Sequence, residues 1–295
     1  MRFGIDLGGT KTEIMALKPD GAVALRRRIA TPREYDSMLR AVAELVRGAD
    51  AETGAYGRVG MAIPGSESFG SNLIKNANTT YLIGKPLRLD LEKMLERPVR
   101  LANDANCFAL SEASDGAARG AGTVFGVIAG TGVGGGVVVG GQVLNGAHGV
   151  GGEWGHIPLP APSVEEAATA PLCYCGKRGC LEVWCSGPGL AADFKRVTGR
   201  AVSAEQIAAS DGPEERAAIG RLIERFARAL ATLVNILDPD VIVMGGGLSN
   251  IGRLYDELPP LVEKYGFNLG GPPRIVKNMH GDSSGVRGAA WLWPE

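Results

Sequence analysis

The spacing of apolar and polar residues predicts an α/β protein. Short apolar runs predict strands over residues 2–7, 12–17, 23–29, 58–63, 99–102, 123–129, 136–143 and 241–244. Apolar positions at helical spacing predict helices over residues 36–47, 90–96, 214–237, a stretch from about 103 to 118, and one that begins near 253. Residues 148–186 follow neither pattern, and they hold four of the five cysteines.

The predicted elements fall into two similar halves. The order strand, strand, strand, helix, strand recurs loosely in each half. At 295 residues the chain also exceeds what one hydrophobic core usually fills. We therefore expect two related α/β lobes with a cleft between them.

Glycine is the unusual part of the composition. There are 44 glycines, against roughly 21 expected at average usage. Fifteen of them lie in the 36 residues from 120 to 155, with no collagen-like period. Such a local excess indicates backbone that turns tightly or approaches a ligand closely.

Charge and hydropathy exclude several classes of protein. The net charge of −1 argues against a nucleic-acid partner that is held by a basic field. No apolar stretch is long enough to span a bilayer, and the N-terminus has no signal-peptide core. We expect a cytoplasmic protein with no membrane partner. In a reducing compartment, clustered cysteines favour a metal site over disulfides.

The segment DLGGTKT, which follows the first predicted strand, is the first candidate site. Its paired glycines allow backbone N–H groups to converge on an anion. Thr10 adds a hydroxyl donor and Lys11 a positive charge, and Asp6 could hold Mg²⁺ through water. A plain hairpin turn would need only Gly8 and Gly9, so the segment alone leaves both interpretations open.

A second glycine loop, GTGVGGG, begins at Gly130. It contains the G-x-G-x-x-G spacing of a dinucleotide site, but that fingerprint requires a helix to follow. An apolar strand follows instead, which favours a second phosphate-binding hairpin around Thr131 and Gly132.

A third glycine cluster ends the predicted strand over residues 241–244. Gly245, Gly246 and Gly247 would let the chain pass close to a flat ring or a phosphate. Tight packing of a strand against a helix explains the same three residues equally well.

Four residues have the chemistry of a closed zinc site. His156, Cys173, Cys175 and Cys180 supply one imidazole and three thiolates, a tetrahedral ligand set with no open position. The ion would therefore be structural, and unmetallated buried thiols are the alternative. The other two cysteines and two histidines have no partners at ligand spacing. They are predicted to be structural or core residues, namely Cys107, Cys185, His148 and His280.

The segment LANDAN places Asp104 on a strand-to-helix turn. An aspartate at such a turn is most often a helix N-cap. Two anion-binding loops would, however, require an acceptor hydroxyl and a base nearby, and Asp104 could be that base.

Together these motifs resemble the ROK family of sugar kinases and repressors. DLGGTKT and GTGVGGG resemble its two phosphate loops, LANDAN its catalytic segment, and EWGH with CYCGKRGCLE its zinc and sugar signature. The resemblance implies the two-lobed actin/hexokinase-like (ribonuclease H-like) ATPase fold with a zinc-binding loop. It places a small lobe at 1–117, joined by the tail 284–295, and a large lobe at 118–283.

The resemblance also assigns roles to residues. Asp104 would be the general base that takes the proton from a sugar hydroxyl. The sugar would be held by Gly65, Asn78, Asn103, Asp104, Glu153, His156 and Glu182. ATP with Mg²⁺ would be held by Asp6, Gly8, Gly9, Thr10, Lys11, Thr131, Gly132, Gly245, Gly246 and Gly247. One ring nitrogen of His156 would face structural Zn²⁺ and the other the sugar.

The activity implied is phosphorylation of a hexose by ATP. Further stretches resemble the bacterial fructokinase (mannokinase-like) branch, so we expect D-fructose to be converted to fructose 6-phosphate. An N-acetylglucosamine kinase, a glucokinase or a mannokinase of the same family is the alternative. A sugar-sensing repressor is disfavoured because no helix-turn-helix precedes the first phosphate loop. A homodimer is common in such a family, and we expect one here.

Overall fold

A computed structural model of the chain describes residues 1–68 and 70–293. Its strands are β1 (Arg2–Leu7), β2 (Lys11–Leu17), β3 (Val23–Ala30), β4 (Arg58–Ile63), β5 (Ser66–Glu67), β6 (Ile74–Lys75), β7 (Val99–Asn103), β8 (Thr123–Ala129), β9 (Val133–Val139), β10 (Gln142–Val143), β11 (Val241–Gly245) and β12 (Ile275–Lys277).

Helices connect these strands and pack against the sheets. They are α1 (Tyr35–Thr53), α2 (Leu87–Leu95), α3 (Asp104–Ser114), α4 (Val164–Ala168), α5 (Leu181–Cys185), α6 (Gly187–Thr198), α7 (Ala204–Ala209), α8 (Pro213–Leu237), α9 (Arg253–Tyr265) and α10 (Ser284–Trp291). Single 3₁₀ turns cover Thr80–Leu82, Trp154–His156, Gly247–Asn250 and Gly281–Ser283.

The chain divides into two compact units. The first contains Met1–Gly120, Gly136–Gly152 and the C-terminal segment from Asp282, and the second contains Ala121–Gly135 and Glu153–Gly281. The sequence placed residues 136–152 in the large lobe, whereas their contacts place them in the first unit. The predicted lobe boundaries otherwise stay a prediction.

The first sheet has the order β3-β2-β1-β4-β7. β1 is antiparallel to β2, whereas β1, β4 and β7 run parallel. One face is buried against α1 and α2 in the core of this unit, which includes Phe3, Ile5, Val42 and Leu91. Met38, Leu39, Val42 and Val46 lie on the predicted apolar face of α1 and are buried, so the 3.6-residue period identified this contact correctly.

The opposite face of the first sheet is covered by α10, at unusually close range. A Cβ at Gly4 would collide with the carbonyl oxygen of Val286, and one at Gly60 with that of Ala289. Glycine on two central strands therefore allows the helix backbone to lie directly on the sheet.

The second sheet has the order β10-β9-β8-β11-β12, with β8, β11 and β12 parallel. β9 and β10 form a hairpin whose turn, Gly140-Gly141, has positive φ at both glycines. The single strand predicted over 136–143 is therefore wrong, because this turn divides it in two. Helix α3 ends at Ser114, short of the predicted 118, because Asp115 leaves helical geometry.

A buried cluster of ion pairs lies between α4, α6 and α8. The carboxylate of Asp193 accepts hydrogen bonds from Arg225 at 3.0 Å and from Arg221 at 2.7 Å. Arg225 also donates to Glu166 at 2.8 Å and stacks 4.6 Å from the ring of Trp184 on α5. Through Arg225, the cluster links α4, which precedes Cys173, to α6, which follows Cys185.

Across residues 1–68 and 70–293, none of the helices combines the length and the apolar character that crossing a bilayer requires.

Candidate active site

The carboxyl ends of three parallel strands carry the candidate residues of the first unit. The strand register pairs Asp6 with Ala62, and Ala62 with Ala102. Asp6 therefore lies at the same edge of the sheet as Asn103, which ends β7. Open sheets of this kind bind ligands beyond the carboxyl ends of their strands.

The turn from Gly8 to Lys11 is fixed by its own backbone and by Thr31, which directly follows β3. The N–H of Gly8 donates to the carbonyl of Lys11 at 2.9 Å. The hydroxyl of Thr31 donates to the Gly8 carbonyl at 2.7 Å, and the Thr31 N–H donates to the Thr10 carbonyl at 3.0 Å. Thr31 therefore orients the turn and leaves its tip, Gly9 included, exposed.

Two further candidates, Asn78 and Gly65, lie on loops beside this turn. A Cβ at Gly9 would come within 3.6 Å of Oγ1 of Thr79, whose hydroxyl donates to Oδ1 of Asn78 at 3.4 Å. Gly65 has φ +103°, and a Cβ there would lie 2.6 Å from the Lys75 carbonyl oxygen. Position 65 therefore requires glycine.

The N-terminus of α3 is capped by Asn103, not by Asp104. Oδ1 of Asn103 accepts the N–H of Asn106 at 2.7 Å. Asp104 occupies the first turn, where its Oδ1 accepts the N–H of Ala105 at 2.8 Å. The capping role, which the sequence left open for Asp104, thus belongs to its neighbour.

Asp6 and Asp104 form a centre of negative charge. Solvent reaches Asp104, yet the protein around it raises its pKa by desolvation. Burial, and then the charges of Asp104 and Glu13, raise the pKa of Asp6 to about 6. Burial acts in the same direction on Glu13, but hydrogen bonds from Arg26 and Arg28 hold the pKa of Glu13 below its usual value. The surplus charge at Asp6 and Asp104 and their oxygen donors fit a divalent cation such as Mg²⁺.

In the second unit, two glycine segments lie together at the carboxyl ends of β8 and β11. A Cβ at Gly130 would come 3.7 Å from the backbone nitrogen of Gly247. Gly246 has φ +78°, and a Cβ there would collide with the carbonyl of Ala129. The structure therefore joins Gly130–Gly132 and Gly245–Gly247 into one glycine-lined surface.

Strand β9 begins directly after this first glycine turn, at Val133. A dinucleotide fingerprint would need a helix there, with the pyrophosphate at its N-terminus. The predicted hairpin is present and the dinucleotide alternative is wrong, whereas phosphate binding by the hairpin stays a prediction.

Glu182 lies between the glycine turn and the cysteines. Its Oε2 accepts the N–H of Val133 at 3.1 Å, and a Cβ at Gly132 would lie 2.5 Å from the same oxygen. Its Oε1 is 4.0 Å from Sγ of Cys173. One carboxylate therefore contacts the turn and faces the cysteine cluster.

The four predicted zinc ligands converge. One donor atom from each lies within 4.8 Å of all the others, with 3.7 Å between Sγ of Cys173 and Nδ1 of His156. The Sγ atoms of Cys175 and Cys180 are 3.6 Å apart. Tetrahedral zinc, with Zn–S near 2.3 Å and Zn–N near 2.0 Å, separates such atoms by about 3.5–3.8 Å. The donor set and its spacing fit a closed zinc site.

Backbone hydrogen bonds shape the loop around these thiols. The N–H of Cys173 donates to the Lys177 carbonyl at 2.8 Å. A backbone hydrogen bond from Lys177 lowers the pKa of Cys175, whereas burial raises the pKa of Cys180 to about 12. Zinc ligation would deprotonate all three thiols.

The second ring nitrogen of His156 has a partner that was not predicted. Its Nε2 lies 3.0 Å from the phenol oxygen of Tyr174, and the two rings meet edge-on at 5.2 Å. Tyr174 lies inside the Cys-x-Cys segment, and that position was the only signal for it.

A 3₁₀ turn positions Glu153 just before His156. The indole N–H of Trp154 donates to the Gly134 carbonyl at 3.0 Å, and its ring packs edge-on against Phe125 at 5.3 Å. This buried tryptophan anchors the turn to β8 and β9, so both flanking side chains start from a fixed backbone.

The remaining cysteines are core residues, as predicted. Cys107 and Cys185 are fully buried, and burial raises the pKa of both thiols well above the usual value. The backbone carbonyl of His148 accepts a hydrogen bond from Lys75 at 2.7 Å, and the structural role of His148 and His280 stays a prediction.

Comparisons with known proteins agree on one family. The sequence model described as ROK family matches residues 2–295. An N-acetyl-D-glucosamine kinase of Pectobacterium carotovorum subsp. carotovorum is 40% identical over 99% of this chain and 98% of its own length.

Solved structures give the same result. A ROK hexokinase of Thermus thermophilus shares 32% identity with a TM-score of 0.86, covering 99% of this chain and 97% of its own. A ROK family glucokinase of Streptomyces griseus, solved with glucose and AMPPNP, shares 25% identity with a TM-score of 0.77, covering 99% and 98%.

Proposed function

The chain belongs to the ROK family and is a sugar kinase, and from this premise we propose that it transfers phosphate from ATP to N-acetyl-D-glucosamine. The similarity to N-acetyl-D-glucosamine kinases extends over almost the whole chain. It supports this alternative better than D-fructose, which the sequence motifs favoured. The proposed homodimer and the cytoplasmic location stay predictions.

The observation that carries the proposal is the position of Asp104. It lies at the carboxyl edge of the first sheet in the same unit as the DLGGTKT turn, and Asn103 caps the helix in its place. In our proposal Asp104 is the general base, which takes the proton from the sugar hydroxyl as that oxygen attacks the γ-phosphorus of ATP. Most of the remaining catalysis in phosphoryl transfer is positioning and charge stabilisation.

Sugar recognition is proposed for the polar groups that the sequence motifs identified. Carboxylates and amides accept hydrogen bonds from vicinal hydroxyls, and their backbones are fixed by the contacts described above. The proposed sugar-binding residues are Gly65, Asn78, Asn103, Asp104, Glu153, His156 and Glu182.

ATP binding is proposed for the glycine turns. The turns that contain Gly8, Gly9, Thr10, Lys11, Thr131 and Gly132 would hold the phosphates through backbone and hydroxyl groups, and Gly245–Gly247 would hold the nucleoside. Asp6 would hold Mg²⁺, which neutralises charge on the phosphates when it is bound.

The zinc loop is proposed to order the sugar-binding carboxylates, since Glu153 and Glu182 each lie within three residues of a ligand. We expect about one zinc per chain in the wild type. Cys175→Ser removes a ligand, so we expect zinc to be lost on dialysis against a chelator and the sugar Kd to rise at least about tenfold. Metal analysis and calorimetry measure the two effects.

Cys185→Ser is the matched control, because Cys185 is a cysteine outside the cluster and should leave the zinc content at one. A Cys175→Ser protein with full zinc and wild-type sugar affinity would rule out this role.

The raised pKa of Asp104 predicts the acid side of the pH profile. A base must be ionised, so activity is present above its pKa and is lost as the pH falls through it. We expect kcat/KM for the sugar to decline on acidification with an apparent pKa above the ordinary aspartate value of about 3.9. Activity that stays flat below that value, in protein shown by circular dichroism to be folded, would refute the assignment.

A panel of hexoses at fixed ATP tests the choice of substrate. We expect kcat/KM for N-acetylglucosamine to exceed that for fructose, glucose and mannose by about tenfold or more. A higher value for fructose would return the assignment to the fructokinase branch, and no turnover of any hexose would overturn the proposal as a whole.

A further inference from the structure

The contact between Tyr174 and His156 points to a role for Tyr174 that the motifs described above do not assign. The imidazole has two nitrogens, and Nδ1 faces the Cys173 thiol at 3.7 Å while Nε2 faces the Tyr174 phenol at 3.0 Å. We propose that Tyr174 is a positioning residue. When no sugar is bound, its hydroxyl holds His156 in the orientation that ligates zinc. When sugar binds, a sugar hydroxyl replaces the phenol as the hydrogen-bond partner of Nε2. The second half of this proposal rests on the proposed function.

The tautomer of the imidazole follows from its two neighbours. A nitrogen that ligates a metal must present its lone pair, so Nδ1 of a ligating His156 carries no proton. Nε2 then carries the N–H and donates it to the phenol oxygen of Tyr174. Residues that fix a ligand in this way typically change metal affinity by 10–100-fold when they are removed.

Exposure of the tyrosine makes the contact exchangeable. Tyr174 is 83% exposed, and an edge contact and one hydrogen bond join it to His156. Moving it therefore uncovers little buried surface. A sugar hydroxyl can accept the same N–H, so the phenol and the sugar compete for one donor.

Tyr174→Phe tests the two halves of the proposal separately, because zinc affinity and sugar affinity are expected to change in opposite directions. It removes the acceptor but keeps the ring, so without sugar we expect zinc, titrated against a chromophoric chelator, to bind about 10–100-fold more weakly. In zinc-loaded protein we expect N-acetylglucosamine to bind about two- to tenfold more tightly by calorimetry, because it no longer displaces the phenol.

Tyr56→Phe is the matched control. Tyr56 is an exposed tyrosine of the first unit whose hydroxyl donates to the Glu96 carbonyl at 3.1 Å, and its loss should change neither affinity. Unchanged zinc affinity in Tyr174→Phe overturns the positioning role, and weaker sugar binding overturns the exchange. A wild type that binds no hexose overturns the exchange together with the proposed function, whereas the zinc titration still decides the positioning role.

Discussion

Asp104→Asn is expected to lower kcat by about 10²–10⁴-fold while sugar binding largely survives. The asparagine keeps an oxygen for the Ala105 N–H, so the start of α3 is preserved. It cannot accept a proton from the sugar at neutral pH. The loss should therefore appear in kcat, measured by coupled ADP release, and not in the sugar Kd measured by calorimetry.

Asp20→Asn supplies the matched control for this variant. Asp20 is an exposed aspartate whose Oδ1 accepts a backbone N–H two residues on, at 3.0 Å, and it lies in the turn between β2 and β3. It should keep wild-type turnover. If Asp104→Asn turned over at a near-normal rate, another group would have to be the base.

Asp193→Asn is expected to lower the free energy of unfolding by about 3–5 kcal/mol. Burial opposes ionisation of Asp193, but hydrogen bonds from Arg225 and Arg196 hold its pKa below the usual range. Removing the negative charge leaves the buried Arg225 with Glu166 as a remaining carboxylate partner. Because Arg225 stacks on Trp184, the change should also loosen α5, which carries Glu182.

Urea denaturation of the zinc-loaded protein measures this loss. Glu214→Gln removes an exposed carboxylate that pairs with Arg200, and it should cost less than about 1 kcal/mol. Equal effects of the two variants would show that the Asp193 cluster contributes no more than a surface ion pair.

The central elements and the local motifs could be predicted from the sequence because their signals are local. β1, β4 and β8 coincide with the predicted strands, and the cysteine spacing identified four donors that do converge. Apolar alternation in strands, the helical period and the spacing of metal ligands each extend over a few residues, so a single sequence is enough to detect them.

Elements defined by long-range packing escaped prediction. Helix α10 is rich in small residues, and it is held by close contact with Gly4 and Gly60, about 280 and 230 residues away along the chain. β12 is three residues long and exists through pairing with β11. No local period marks either element.

Within the candidate site, the roles of individual hydrogen-bonding atoms could not be predicted. Thr31, just after β3, hydrogen-bonds the turn over Gly8–Lys11. Asn103 caps α3 in place of Asp104, and Tyr174 contacts Nε2 of His156. Each role depends on which donor and acceptor the folded backbone brings within about 3 Å of each other. That distance cannot be predicted from a local sequence pattern. The choice among hexoses has the same origin, since it depends on the shape of the pocket.

In the proposed reaction this chain moves the γ-phosphate of ATP onto a sugar hydroxyl. The most direct measurement is to incubate the zinc-loaded protein with γ-labelled ATP, Mg²⁺ and N-acetylglucosamine and to separate the products. We expect the label in a phosphorylated N-acetylglucosamine, in an amount equal to the ADP formed. Label that stays in ATP, or that appears only as inorganic phosphate, would contradict the account.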